Sequence, residues 1–204
     1  WSIAKQAIPG SNRFPHDIWV QGMSEEQLTE MILTRHNDTS KKKPDFTQLN
    51  LKESSKWHKS HLDKIDLQER NRDLYFRILW DYTKGNPRQA LYYWKASLSW
   101  GEFSSTVRLF DVPEQWVLEN LSDHILMLLA ALIEHNGLTI AGLAEVMSAD
   151  AALIRRHMEE IYAFDIVFVT DMDGQVGYHV ESFWARAVEN YLLKRQFLFR
   201  GEEV

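Results

Sequence analysis

Apolar positions recur at three- and four-residue spacing over most of this chain, which predicts a mainly α protein. The first firm helix opens at Ser24: Ser24, Glu25, Glu26 and Gln27 have the form of a capping box, and Met23 and Leu28 stand where a hydrophobic staple clamps the first turn. Its apolar face is Leu28, Met31 and Ile32, and the pattern gives way after Arg35. A polar run from His36 to Pro44 then opens an excursion over residues 36–66 with few apolar positions, expected to be a long, mobile segment holding at most one short helix. Periodicity resumes with Leu67, Asn71, Leu74, Tyr75, Ile78, Leu79 and Tyr82, predicting a helix over 67–84 that Gly85 stops as a C-cap. Asn86 and Pro87 restart a helix at once. Asn86 is suited to the N-cap, Pro87 to the first position where its missing N–H costs nothing, and Leu91, Trp94 and Leu98 to the buried side. Arg88 therefore falls in the first turn of a helix.

A short strand is expected around residues 106–112, and proline at 113 marks a change of pattern. Ser122 caps a helix in which Ile125, Leu128, Leu129, Leu132 and Ile133 follow the rule for one buried face, ending at Asn136 and Gly137. Thr139 caps a second helix with Ile140, Leu143, Ala144 and Met147 on one side. Ser148 is expected to open a third, with Leu153, Ile154, His157, Met158 and Ile161 inward. Two short β-branched and aromatic runs, 166–170 and 176–180, flank Asp173 and Gly174, the signal for a hairpin. A last helix is expected over 183–194. Three helices followed by a β-hairpin is the order of a winged-helix domain. The reading is thus a helical domain over 1–120, within which 36–66 is the basic excursion, and a winged-helix domain over 121–204.

Composition narrows this further. The chain has 204 residues and no cysteine, so disulfides, zinc–thiolate sites and thiol nucleophiles are excluded. Its longest apolar run, residues 125–133, is about half the ~20 residues a bilayer crossing needs. The chain is accordingly expected to be soluble and cytoplasmic, with no membrane segment of its own. It begins at Trp1 without an initiator methionine, and is expected to be a piece of a longer polypeptide. The net charge of −6 is uneven: residues 1–120 carry 17 Lys/Arg against 16 Asp/Glu, residues 121–204 only 6 against 13.

Two stretches carry a resemblance. The run Thr83, Lys84, Gly85, Asn86, Pro87, Arg88, Gln89, Ala90, Leu91, on a helix following a helix, resembles the sensor-2 motif in the lid of AAA+ ATPases and of the related signal-transduction ATPases of the STAND class. Upstream, Phe14, Pro15, His16, Asp17, Ile18, Trp19 and Val20, then Met23 to Leu28, Ile32 and Arg35, are similar to the passage where those proteins leave the last strand of the nucleotide-binding core and enter the lid; residues 1–20 would be the end of that core. A winged helix directly after the lid is frequent in the same proteins. The resemblance implies that Arg88, supported by Gly85, Asn86 and Pro87, reaches the phosphates of ATP or ADP with its Mg²⁺, that the P-loop lies N-terminal to Trp1, and that partners are sister subunits of a homo-oligomer, another protein, or the core domain of the parent chain. The residues at hand contain no Gly-x-x-x-x-Gly-Lys-Ser/Thr and so no catalytic machinery of their own. Independently of any family, a guanidinium is a rigid, permanently charged fork for phosphate oxygens, and a helix N-terminus adds backbone donors.

The rival reading is a non-catalytic regulator whose winged helix binds DNA or a protein, with the first domain as a helical adaptor or dimerisation module. Arg155 and Arg156 on the third helix are the candidate nucleic-acid contacts, but Glu159 and Glu160 follow at i+4 and are expected to pair with them. Asp171 and Asp173 make the wing acidic, which disfavours a duplex. The better-suited use is a protein-docking surface, built on whatever part of Phe183, Trp184, Tyr191, Phe197, Leu198 and Phe199 is exposed. Seven lysines against five acids in the excursion leave only a weak positive field, although Trp57 adds a stacking ring. His58 and His61 lack a third ligand at matching spacing, so no metal site is expected.

Overall fold

The computed structural model describes residues 22–49, 64–101 and 104–199. Among these, the protein is mainly helical with two small three-stranded sheets. In chain order the elements are α1 (Glu25–Thr39), β1 (Pro44–Asp45), α2 (Lys64–Thr83), α3 (Pro87–Ser97), β2 (Leu98–Trp100), β3 (Ser105–Val107), α4 (Gln115–Glu119), α5 (Asp123–Glu134), β4 (Leu138–Thr139), α6 (Ile140–Met147), α7 (Ala151–Ala163), β5 (Val167–Met172), β6 (Gln175–Val180) and α8 (Ser182–Lys194).

The capping box at α1 forms as its residues require: Gln27 N–H donates to Ser24 Oγ at 3.2 Å and Ser24 N–H to Gln27 Oε1 at 3.0 Å. The helix does not stop at Arg35. It continues to Thr39 because His36 is buried rather than solvated, edge-on to Trp94, stacked on Trp100, and hydrogen-bonded through Nε2 to the Lys42 carbonyl at 2.8 Å. The expected polar excursion is likewise partly structured. β1 lies parallel to β3, Phe46 is buried, and α2 fastens the strip: Gln68 bonds both Phe46 N–H and the Pro44 carbonyl, and Asn71 donates to the Phe46 carbonyl. Residues 50–63, which include Trp57, His58 and His61, lie outside the described residues, as do residues 1–21.

Two cores form. The first packs Leu28 and Ile32 of α1 against Tyr75, Phe76 and Leu79 of α2 and Tyr93 and Trp94 of α3, with Phe46, Val107 and Phe110 closing it. The buried face of α3 is Ala90, Tyr93, Trp94 and Ser97, so Leu91 and Leu98, predicted inside, are only partly covered. The second core wraps α5, α7 and α8 around Leu129, Leu132, Met158, Ile161, Val188 and Leu192. Leu118 of α4 belongs to it, so the division falls between Phe110 and Leu118. Burial of each such side chain contributes roughly 1.5–3 kcal/mol.

In the second module Ser122 and Thr139 cap α5 and α6 as expected. Ser148 does not open α7. It ends α6 in the left-handed region (φ 49°), and Asp150 caps α7 by accepting from Ala152 N–H at 2.6 Å, a carboxylate being the stronger acceptor for orphan amides. The helix thus starts two residues later than expected, and Leu153, predicted inward, is 50% exposed. β5 and β6 meet across a two-residue turn in which Asp173 and Gly174 both have positive φ, and β4 completes the sheet in the order β4–β6–β5. Among the described residues no helix is long and apolar enough to cross a membrane.

Candidate functional site

The segment before α1 runs back against the turn between α2 and α3. Met23 N–H donates to the Gly85 carbonyl at 2.9 Å, and Trp80 Nε1 donates to the Met23 carbonyl at 2.8 Å. Gly85 has φ +75°, and a Cβ there would stand 2.2 Å from the Met23 oxygen, so the left-handed turn and the close approach of two backbones both demand glycine. Immediately after it, Asn86 Oδ1 accepts from Arg88 N–H at 3.0 Å and Gln89 N–H at 3.2 Å, and Pro87 takes the first helical position. The cap satisfies two of the helix's orphan amides internally. Arg88 is exposed, and among the described residues its guanidinium has no carboxylate or carbonyl partner.

Arg88 also faces the second module. With Asn86 and Gln89 it lines one side of a groove of about 250 Å³, whose other walls are Asn136 and Gly137 at the end of α5, His179 of β6, and Ser182 and Glu189 of α8. The side-chain oxygen Oε1 of Gln89 is buried there without a hydrogen bond. His179 stacks on Phe168, which fixes its ring against the groove wall. The groove is therefore shared by the two modules, and Arg88 sits on the seam.

Behind the groove the modules are bolted together by polar groups that local sequence patterns do not reveal. Arg186 of α8 is buried; its Nε donates to the Tyr82 carbonyl at 2.9 Å and Nη1 contacts Glu189 at 2.7 Å. Tyr93, also buried, donates its hydroxyl to the Phe183 carbonyl at 2.6 Å, with the Tyr82 hydroxyl 3.4 Å away. Burial raises the Tyr93 phenol far above the ordinary 10.0, and the Tyr82 hydroxyl adds to the rise. Phe183 packs against both cores.

The nucleic-acid candidates look different from expectation. Arg155 and Arg156 are exposed on α7, beside a shallow hollow that they share with Ala151, Ala152 and Glu159. Neither forms the anticipated ion pair with Glu159 or Glu160; Glu160 instead lies 3.9 Å from His157 Nδ1. The terminal aromatic cluster is mostly core: Trp184, Tyr191 and Leu198 are buried, and only Phe199 stands well out. Among the described residues no group of three or more His, Asp or Glu side chains is placed to hold a metal ion.

No family model matches this chain, and no curated protein or solved structure does.

Proposed function

We propose that this chain is the regulatory C-terminal part of a P-loop ATPase of the AAA+ or STAND kind, in which the first module is the lid and the second a winged helix that passes lid movement to a protein partner. The observation that carries the reading is the docking of Gly22 and Met23 on the Gly85 turn. It brings Gly22 and Met23 to the base of α3, next to an arginine that is exposed and, among the described residues, has no carboxylate or carbonyl partner. The first-turn amides of α3 are already taken by the Asn86 cap, so the phosphate-binding capacity there lies in the guanidinium of Arg88, a rigid and permanently charged fork for phosphate oxygens. Bound ATP or ADP, with Mg²⁺, would supply the anion; Arg88 binds it, and the Arg186 and Tyr93 bridges hold the second module to the lid so that both move as one body.

The test is nucleotide titration of the full-length protein and its Arg88→Ala variant. Loss of at least tenfold in nucleotide affinity or ATPase rate, with the melting temperature unchanged, is expected. An unaltered response removes Arg88 from this role, and a parent chain without a P-loop removes the reading altogether.

Arg155 and Arg156 are exposed and, among the described residues, pair with neither Glu159 nor Glu160, which favours a second reading, a regulator that docks α7 on duplex DNA. A salt-dependent mobility shift by the chain that Arg155→Ala/Arg156→Ala abolishes would establish it; no shift at low salt would retire it.

A further inference from the structure

β5 is an edge strand. In the order β4–β6–β5 it has β6 on one side only, and among the described residues no backbone group of the strand bonds to any other element on its outer side. The two-residue turn fixes which groups are left over. Met172 and Gln175 flank it as a pair that exchanges both hydrogen bonds, and such pairs alternate along an antiparallel ladder. Phe168, Thr170 and Met172 therefore point their N–H and C=O at β6, whereas Val167, Val169 and Asp171 point theirs outward.

The usual safeguards of an edge are sparse here. β5 contains no proline, no lysine and no bulge, and its six residues pair in unbroken register with β6. Val169, 43% exposed, and Val176, 57% exposed, are diagonal neighbours on the same face, because Val169 opposes Tyr178 and Asp171 opposes Val176. An apolar strip and a row of free donors and acceptors run side by side.

Charge selects the occupant. Residues 157–185 hold six acids, Glu159, Glu160, Asp165, Asp171, Asp173 and Glu181, and no lysine or arginine. The first five are exposed. We infer that the outer edge of β5 takes up an extended, lysine- or arginine-bearing peptide segment of a partner protein, which adds to the sheet as a fourth strand beside β5. Main-chain bonds to Val169 and Asp171 supply the attachment, an apolar side chain covers Val169 and Val176, and basic side chains on either flank answer the acids. A second copy of this chain is the wrong occupant: edge-to-edge pairing would set two acidic edges against each other with no lysine or arginine between them to answer Asp165, Asp171 or Asp173. The inference is independent of the nucleotide role of Arg88.

The probe is a capped eight-residue peptide with lysine at alternate positions and valine or threonine between, titrated against the whole chain by fluorescence anisotropy at low ionic strength, with amide hydrogen exchange read residue by residue. Binding should be at least tenfold tighter than for the same peptide with glutamate in place of lysine. It should protect the amides of Val169 and Asp171, and fail when alternate peptide amides are N-methylated. Val169→Pro removes an outward donor without touching the β5–β6 ladder, and Val169→Lys keeps every backbone bond while adding a like charge. Either should weaken the peptide at least tenfold. The inference is overturned by absence of binding at millimolar peptide, by protection confined to another surface, by affinity that survives both variants, or by sedimentation showing a dimer that Val169→Lys dissolves.

Discussion

Arg186 and Tyr82 are 104 residues apart in the chain, yet the Arg186 Nε hydrogen of the last helix is held by the Tyr82 carbonyl at 2.9 Å. Tyr82 lies in the last turn of α2, three residues before the glycine turn that leads to Arg88. The same guanidinium grips Glu189, so one buried cation ties the second module to the turn that presents the exposed one. The contact joins the end of α2 to α8 and is short, charged and shielded from water.

Removal of this tie should uncouple the modules. Arg186→Met fills much of the volume but strands the Tyr82 carbonyl and removes the guanidinium that contacts Glu189, at a cost of about 3 kcal/mol. For a chain of this size that corresponds to roughly 6–12 °C in melting temperature. Calorimetry should show the single transition broaden or split into two. A variant melting as one sharp transition within a degree or two of the parent would show that the apolar contacts around Phe183 suffice.

The Tyr93 bridge predicts alkaline behaviour. Burial raises the phenols of Tyr75 and Tyr93 well above the ordinary 10.0; Tyr75 donates to Ser97 Oγ at 2.8 Å and Tyr93 to the Phe183 carbonyl. Folding thus requires both to stay protonated. Their contribution is present in full below about pH 10, where unfolded tyrosine is also protonated, and is lost as pH rises through the raised folded values. Urea unfolding above pH 10 should show stability falling by about 1.4 kcal/mol per pH unit for each tyrosine. Tyr93→Phe should lower stability by about 1–2 kcal/mol at neutral pH and remove its share of the alkaline slope. A slope unchanged by the substitution would assign the effect to the other phenols that burial raises, Tyr75, Tyr82 and Tyr92.

Local chemistry was readable wherever a few adjacent residues decide it. The capping box at Ser24, the cap and proline at Asn86 and Pro87, and the Asp173 and Gly174 turn all require only near neighbours. Ser148 and Asp150 show the limit, since both residues suit an N-cap and the choice depends on where the turn after α6 ends. The buried His36 was hidden for another reason: its environment is made by Trp94 and Trp100, far along the chain and sequentially unrelated to α1. The candidate site divides in the same way. Arg88 follows from its own motif, whereas Arg186, two residues after Trp184 of the expected docking cluster, reads in sequence as an ordinary helix-surface arginine until α8 is packed on the end of α2. Whether Arg155 and Arg156 pair with Glu159 and Glu160 is a matter of rotamers, which i+4 spacing permits but does not dictate.

Two glycines with nearly equal φ separate the strain of a left-handed residue from the cost of crowding. Gly174, at +80°, has nothing within 4 Å of a would-be Cβ, and Gly174→Ala should cost only the left-handed conformation, about 1 kcal/mol. Gly85, at +75°, would drive its Cβ to 2.2 Å from the Met23 oxygen and 2.7 Å from its nitrogen, both backbone atoms that cannot rotate aside. Gly85→Ala should therefore cost about 3–4 kcal/mol, the excess arising from displacement of Gly22 and Met23. Urea unfolding of both variants measures the difference, and amide exchange at Met23 reports whether its bond to Gly85 has opened. Equal costs would mean that the N-terminal segment is not pressed on this turn, which would withdraw the physical ground for placing a nucleotide-holding domain beside Arg88.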